Sequence, residues 1–141
     1  MPTNSLIVAD DGFHHLGVAV KSIEKAIVQY ESLGYDIEEP VFTDPNLGIR
    51  GVFMVGSGPR IELLEDLPGF AVVKPWIVRD PALYHFAYLV DDLDAKLESA
   101  EMSRYKTLVS PVRAVGFGGR RVAFVMTPAR LVVEFVERTL R

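Results

Sequence analysis

Two histidines and two glutamates stand at matching positions of a repeated pattern. His15 and His85 each open a run of alternating large and small apolar residues, in the segments FHHLGVAV and YHFAYLV, while Glu62 and Glu134 lie in the segments RIELLE and VVEFVE. Imidazole nitrogens and carboxylate oxygens together suit a divalent ion with open coordination positions, such as Zn, Ni, Co, Mn or Fe(II). Such an ion could bind two neighbouring oxygens of a substrate. We therefore predict His15, Glu62, His85 and Glu134 as metal ligands.

Each of these residues also has a structural interpretation when it is taken singly. A histidine on a half-buried strand is often a hydrogen-bonded core residue, and a lone glutamate there often pairs with an arginine. Four ligand-type residues in twofold register favour a metal site instead. Side chains alternate between the two faces of a strand, so we predict that His14, Glu65 and Glu137 point away from the site.

The repeat itself predicts the elements that position these side chains. With His15 set on His85, Val20 falls on Val90, and the helical segments that follow align without a gap. In the first module the periodicity predicts a strand over 13–20, a helix capped by Ser22 and stopped by Gly34, and strands over 35–42, 49–55 and 60–65. In the second it predicts a strand from residue 84, a helix capped by Asp92, and strands over 106–112, 121–126 and 131–136.

These elements define an α+β fold of two tandem βαβββ modules. We expect a single domain over 1–141, with module 1 at about 13–66, a proline-rich connector at about 67–83 and module 2 at about 84–137. In each module the histidine lies on the opening strand and the glutamate on the closing strand. If the two small sheets pack side by side, the four side chains converge.

Composition narrows the functional classes. The 141 residues include no cysteine, so a metal must be held by nitrogen and oxygen ligands. The N-terminus has no basic region before an apolar run, and no apolar stretch is long enough for a membrane span, so we expect a cytoplasmic protein. The net charge of −4 gives no support to nucleic-acid binding.

Charge is unevenly distributed along the chain. Residues 1–102 hold 7 basic and 17 acidic side chains, whereas residues 103–141 hold 8 basic and 2 acidic ones. The two ends could pair within the fold, or some of the arginines could receive an anionic substrate. Both interpretations follow from the sequence.

The segments HLGVAV (15–20), IELL (61–64), YHFAY (84–88) with DDL (91–93), RVAF (121–124) and VEF (133–135) resemble the vicinal oxygen chelate superfamily. That superfamily includes glyoxalase I, methylmalonyl-CoA epimerase and bleomycin-resistance proteins. The resemblance implies a partly closed sheet around a central metal site and a homodimer. Some epimerases have glutamine at the position of Glu62, and at least one type has a further glutamate where this chain has Gly51.

The resemblance implies a metal-dependent isomerase, epimerase or lyase. Its metal would chelate vicinal oxygens of a small, possibly anionic, carbonyl or thioester substrate and stabilise an enolate or enediolate, with Glu134 or Glu62 as the catalytic base. We also predict substrate contacts for Phe53, Phe117 and Arg121. A binding protein of the bleomycin-resistance kind is the alternative, and an extradiol-type dioxygenase ranks last because a fourth protein ligand would crowd the position that oxygen needs.

Overall fold

A computed structural model describes residues 5–141, which contain nine β-strands and two α-helices. Strands pair in both parallel and antiparallel directions, and the α+β class predicted from the sequence is confirmed. The described chain divides into two compact units, one formed by His15–Tyr84 and the other by residues 5–14 with residues 85–141. Neither helix in these residues has the length and hydropathy that a membrane span requires.

The first unit follows the repeat with one added strand. Its elements are β1 (Gly12–Ala19, of which His15–Ala19 lie in this unit), α1 (Ile23–Glu31), β2 (Tyr35–Ile37), β3 (Phe42–Asp44), β4 (Ile49–Gly56) and β5 (Ile61–Asp66). The strands lie in the order β2, β4, β5, β1, and β3 also pairs with β4. The β1–β5 pair is parallel, and β4 pairs antiparallel with β2, β3 and β5. A short 3-10 turn, Lys74–Trp76, lies in the connector.

The second unit has the elements predicted for its module. They are β6 (Ala82–Val90), α2 (Leu93–Met102), β7 (Lys106–Arg113), β8 (Arg121–Met126) and β9 (Val132–Glu137). The strands lie in the order β6, β9, β8, β7, with β6 and β9 parallel. A 3-10 turn, Val115–Phe117, follows β7, and Gly118 after it adopts a left-handed conformation with φ 63°.

The prediction of one strand from Tyr35 to Phe42 is wrong. Two short strands occupy this range, β2 opposite Met54–Gly56 and β3 opposite Ile49–Gly51, and both pair with β4. Pro40 lies in the gap between them. A proline has no N–H to donate to a strand ladder, so it interrupts the pairing there.

The caps predicted for both helices are confirmed. The hydroxyl of Ser22 accepts a hydrogen bond from Lys25 N at 3.3 Å, and the carboxylate of Asp92 accepts one from Ala95 N at 3.0 Å. Each side chain satisfies one of the backbone donors that a helix leaves free at its first turn. After α1, Gly34 has φ 91°, which glycine adopts without the strain of a side chain.

Each helix packs on one face of the strands of its own unit. In the first unit the core contains Val18, Val20, Ile23, Ala26, Tyr35, Val52, Met54, Ile61 and Leu63. In the second it contains Val90, Leu93, Leu97, Ala100, Ala123, Val125, Val133 and Phe135. Because neighbouring strand residues point to opposite faces, the helix-free face is left to a separate set of side chains.

A carboxylate, partly buried in the first unit and buried in the second, fixes the start of each helix to the closing strand of its unit. Glu65 accepts a hydrogen bond from Ile23 N at 3.0 Å and pairs with Arg50 at 2.8 Å. Arg50 also pairs with Glu24 on α1, and these two carboxylates raise the pKa of the Arg50 guanidinium.

Glu137 has the same role in the second unit. It accepts a hydrogen bond from Leu93 N at 3.1 Å and pairs with Arg121 at 2.9 Å, while Arg121 also pairs with Asp94 on α2. Burial alone would raise the pKa of Glu137, but the hydrogen bonds from Arg121 and Leu93 N leave that pKa below its ordinary value. The prediction that Glu65 and Glu137 lie away from the histidine face agrees with these contacts.

Replacing Glu137 by glutamine should destabilise the protein by about 2 kcal/mol, because Arg121 then loses a charged partner. The folded-state pKa of Glu137 is lowered, so its contribution is fully present above the ordinary value of 4.5 and is lost as pH falls through the folded value. Denaturant unfolding at several pH values should therefore show the parent and Glu137→Gln converging in acid. The exposed Glu101→Gln is the control. A stability difference that stays constant below pH 4.5 would contradict this assignment.

Candidate functional site

In the first unit, the predicted ligands His15 and Glu62 are in contact. Gly17 and Glu62 are Cα partners in the parallel β1–β5 pair, so Glu62 lies beside a residue two positions after His15. The distance from His15 Nε2 to Glu62 Oε1 is 3.1 Å, and the side chains are 0% and 6% exposed. Because Gly17 has no side chain, the Glu62 carboxylate has room beside it to contact the His15 imidazole.

The second unit brings His85 and Glu134 together in the same way. Ala87 and Glu134 are Cα partners in the parallel β6–β9 pair, and Ala87 is again two positions after the histidine. The distance from His85 Nε2 to Glu134 Oε1 is also 3.1 Å, with both side chains at most 2% exposed. The sequence repeat therefore corresponds to a repeated side-chain geometry.

The spacing within each pair is compatible with two kinds of interaction. A distance of 3.1 Å suits an N–H···O hydrogen bond between imidazole and carboxylate. It also suits two ligand atoms about 2.1 Å from one ion, since bonds at right angles place such atoms about 3.0 Å apart. Coordination through Nε2 would leave the ring proton on Nδ1. Each pair can thus serve as one half of a metal chelate.

An aromatic ring packs edge-on against each histidine. The ring of Phe53 lies 5.1 Å from that of His15 at an interplanar angle of 75°, and Phe124 lies 5.2 Å from His85 at 83°. Both phenylalanines are buried and are the Cα partners of the two glutamates. Apolar rings around a polar pair exclude water and strengthen its electrostatic interactions.

Phe124 was not among the predicted site residues, although the repeat contains the signal for it. The segments RGVFM (50–54) and RVAFV (121–125) align arginine on arginine and phenylalanine on phenylalanine. The glutamates are 72 residues apart and the phenylalanines 71, so this alignment needs a shift of one residue between the two strands.

A second aromatic ring adjoins the first pair. Phe42 stacks on Phe53 with ring centroids 6.0 Å apart and an interplanar angle of 29°. Its ring lies over Gly51, where an added Cβ would stand 2.4 Å from Phe42 Cζ. Gly51, where the resemblance implies a further glutamate in one type of epimerase, is therefore covered by an aromatic ring.

The other two predicted substrate contacts have partners within the protein. Phe117 is 6% exposed, and its ring lies 5.3 Å from that of His14 and 5.5 Å from the guanidinium of Arg120. Arg121 belongs to the ion-pair cluster of Glu137 that holds α2. Substrate contacts for Phe53, Phe117 and Arg121 stay predictions, and the two carboxylates around Arg121 favour a structural role for that residue.

Comparison with known proteins identifies the family. The family model of the Glyoxalase/Bleomycin resistance protein/Dioxygenase superfamily matches residues 14–124, and the chain belongs to this superfamily. It is 27% identical over 115 residues to an ethylmalonyl-CoA/methylmalonyl-CoA epimerase of Cereibacter sphaeroides, covering 79% of this chain and 85% of that protein.

Two solved structures show the same fold. A methylmalonyl-CoA epimerase from Mycobacterium tuberculosis superposes with a TM-score of 0.77 at 25% identity, covering 99% of this chain and 93% of that one. A hypothetical protein from Bacillus halodurans superposes with a TM-score of 0.78 at 24% identity, covering 94% and 97% of the two chains.

The packing of Phe42 on Gly51 generates a testable expectation. Gly51→Ala should force the Phe42 ring off Phe53 and cost about 1–2 kcal/mol of stability. In a Phe42→Ala background the same change should cost much less, because the clashing ring is absent. Denaturant unfolding of the four proteins of this cycle measures the coupling. Equal costs of Gly51→Ala in both backgrounds would show that Phe42 does not occupy this space.

Proposed function

We propose that the protein is a metal-dependent epimerase acting on a CoA thioester with an acidic proton next to its carbonyl group. In this proposal His15, Glu62, His85 and Glu134 together hold one divalent ion through two imidazole nitrogens and two carboxylate oxygens. The ion could be Zn, Ni, Co, Mn or Fe. The epimerases described above support this reaction and do not favour the glyoxalase reaction.

The observation that carries the proposal is the repeated pair of buried ligands. A carboxylate and an imidazole at most 6% exposed are costly to remove from water unless their polar atoms have strong partners. Each unit contains one such buried pair, next to a glycine or an alanine that leaves room for the two side chains. A metal ion bound by two ligands from each unit would offset the desolvation cost of both pairs.

The proposed reaction moves one proton at the carbon between two carbonyl groups. A metal held at this site would act as a Lewis acid toward the substrate oxygens. A carboxylate of the chain accepts the proton as the C–H bond breaks, and a protonated group or a water molecule on the other side of the planar enolate then donates a proton to the opposite face of the same carbon. Phe53 and Phe124 exclude water from the histidines. Glu134 and Glu62 are the two candidate bases.

A ligand-sequestering protein without turnover is the second candidate. The observation that favours it is the Phe42 ring over Gly51, because the resemblance implies a glutamate at this position in one type of epimerase. A binder would retain bound ligand but would not exchange the substrate proton with solvent. Proton exchange in deuterated water therefore distinguishes the two functions.

Adjacent histidines provide a matched test of the ligand assignment. His15→Ala should abolish stoichiometric binding of divalent metal and lower the rate of deuterium incorporation into methylmalonyl-CoA at least 100-fold, because one of four ligands is lost. His14→Ala should retain the metal. Elemental analysis after dialysis and mass spectrometry of the thioester measure both effects. Equal loss of metal from the two variants would reject His15 as a specific ligand.

Glutamine substitutions separate the role of ligand from the role of base. We expect Glu134→Gln to lower deuterium incorporation about 100-fold to 10,000-fold, since an amide cannot accept the proton. Glu62→Gln should stay active, because some epimerases that the chain resembles have glutamine there. Metal content measured on both variants controls for loss of the ion. The opposite pattern of activities would make Glu62 the base.

A further inference from the structure

Three rings form a row on the helix-free face of the first unit. The Phe42 ring stacks on Phe53 with centroids 6.0 Å apart, and the Phe53 ring packs edge-on against the His15 imidazole at 5.1 Å. Phe53 is also the Cα partner of Glu62, which contacts His15. A single ring therefore separates Phe42 from the buried His15–Glu62 pair.

The Phe42 ring takes the space that a side chain at position 51 would need. Phe42 and Gly51 are Cα partners in the antiparallel β3–β4 pair, and Gly51 lies on the same strand face as Phe53. A Cβ on Gly51 would overlap Phe42 Cζ and would stand 2.9 Å from Cε2. The histidine face of β4 thus carries an apolar ring at a place where a polar or charged side chain would otherwise fit.

The hairpin that carries Phe42 is fixed at its turn. The carboxylate of Asp44, which is 0% exposed, accepts hydrogen bonds from two backbone N–H groups of the turn at 2.9 and 3.1 Å. The carbonyl of Gly48 accepts one from Leu67 N at 3.0 Å, and the Phe70 ring packs on Gly48. Because both ends of the turn are held, the Phe42 ring cannot withdraw from its place without breaking these contacts.

The second unit has different side chains at the equivalent place. The segments RGVFM (50–54) and RVAFV (121–125) align, so Val122 corresponds to Gly51. Its Cα partner on β7 is Val112, which takes the position of Phe42. The same histidine–glutamate pair is therefore next to a stacked ring in one unit and next to two valines in the other.

Phe42 is the member of the row that has surface left for a ligand. His15 is 0% and Phe53 7% exposed, whereas Phe42 is only half-buried. A fixed apolar ring at the edge of a site makes favourable contact with an apolar group and sets a steric limit on its length. One methylene in such a pocket changes the specificity constant kcat/KM by about 10-fold to 200-fold.

We propose that Phe42 is a specificity-determining residue whose ring limits the alkyl substituent on the reacting carbon to a short chain. The inference rests on the proposed function for the kind of substrate. The oxygens of that substrate bind at the polar pair, and the alkyl group is the apolar part of the molecule next to the reacting carbon. The Phe42 ring, one ring away from the pair, is the surface on which this group packs.

Two thioesters that differ only in this substituent test the role of Phe42. We expect the parent to favour methylmalonyl-CoA over butylmalonyl-CoA at least tenfold, both in affinity by calorimetry and in kcat/KM for deuterium incorporation. Phe42→Ala should lower this ratio at least tenfold, because the longer chain then has room. A general loss of stability would lower both values alike, so the ratio isolates the contact with the ring.

Two variants serve as matched controls. Phe42→Leu keeps apolar bulk at the same place and should retain the preference for the shorter chain. Val112→Ala truncates the residue at the equivalent position of the second unit, and we expect its ratio to stay within twofold of the parent. Thermal unfolding of every variant verifies that each one is folded.

An unchanged ratio in Phe42→Ala, an equal shift in Val112→Ala, or a parent without the preference would overturn the proposal. Calorimetry separates this failure from failure of the proposed function. Size-selective binding that Phe42→Ala abolishes, without proton exchange, would reject the epimerase and retain the role of Phe42. Proton exchange with no shift in the ratio would reject Phe42 alone, and a parent that binds neither thioester would reject both.

Discussion

The burial of a carboxylate against an imidazole, once in each unit, is the constraint on which the rest of the structure depends. As whole residues, Glu62 and Glu134 are 4% and 2% exposed. Such groups need strong partners and space in which to meet them. Parallel pairing of the opening and closing strands sets the histidine and the glutamate two residues out of register, and a glycine or alanine on the opening strand leaves that space. The rings of Phe53 and Phe124 pack against the two histidines and complete the apolar surroundings of each pair.

Strand alternation lets each closing strand use two glutamates for different purposes. Glu62 and Glu65 are three residues apart, so they lie on opposite faces. Glu62 contacts a histidine, whereas Glu65 fixes the start of α1 through Ile23 N and Arg50. Glu134 and Glu137 repeat this arrangement. One short segment therefore supplies a candidate ligand and the anchor of the helix that supports it.

The differences between the units are as informative as the repeat. Phe42 over Gly51 gives the first pair an aromatic wall, while the second unit has Val122 at the position equivalent to Gly51. A duplicated scaffold determines where functional groups can lie, and the differences between its two copies determine which side chains surround each pair.

Local sequence patterns predicted the α+β class, the order of most elements and both helix caps, and they assigned one histidine and one glutamate to each module. These features depend on local periodicity and on a repeat with nearly constant spacing, and both can be read from the order of residues. Assembly of the pairs into one metal site, and the reaction, are proposals that rest on the family as well.

Tertiary structure decided the rest. The break between β2 and β3, the Phe42 ring over Gly51 and the contact of Phe124 with His85 depend on strand pairing between residues far apart in the chain. The same holds for Arg121, whose partners Glu137 and Asp94 come from a strand and a helix. Periodicity gives the face on which a side chain lies, but only the pairing register and the packing of the helix determine which side chain it meets there.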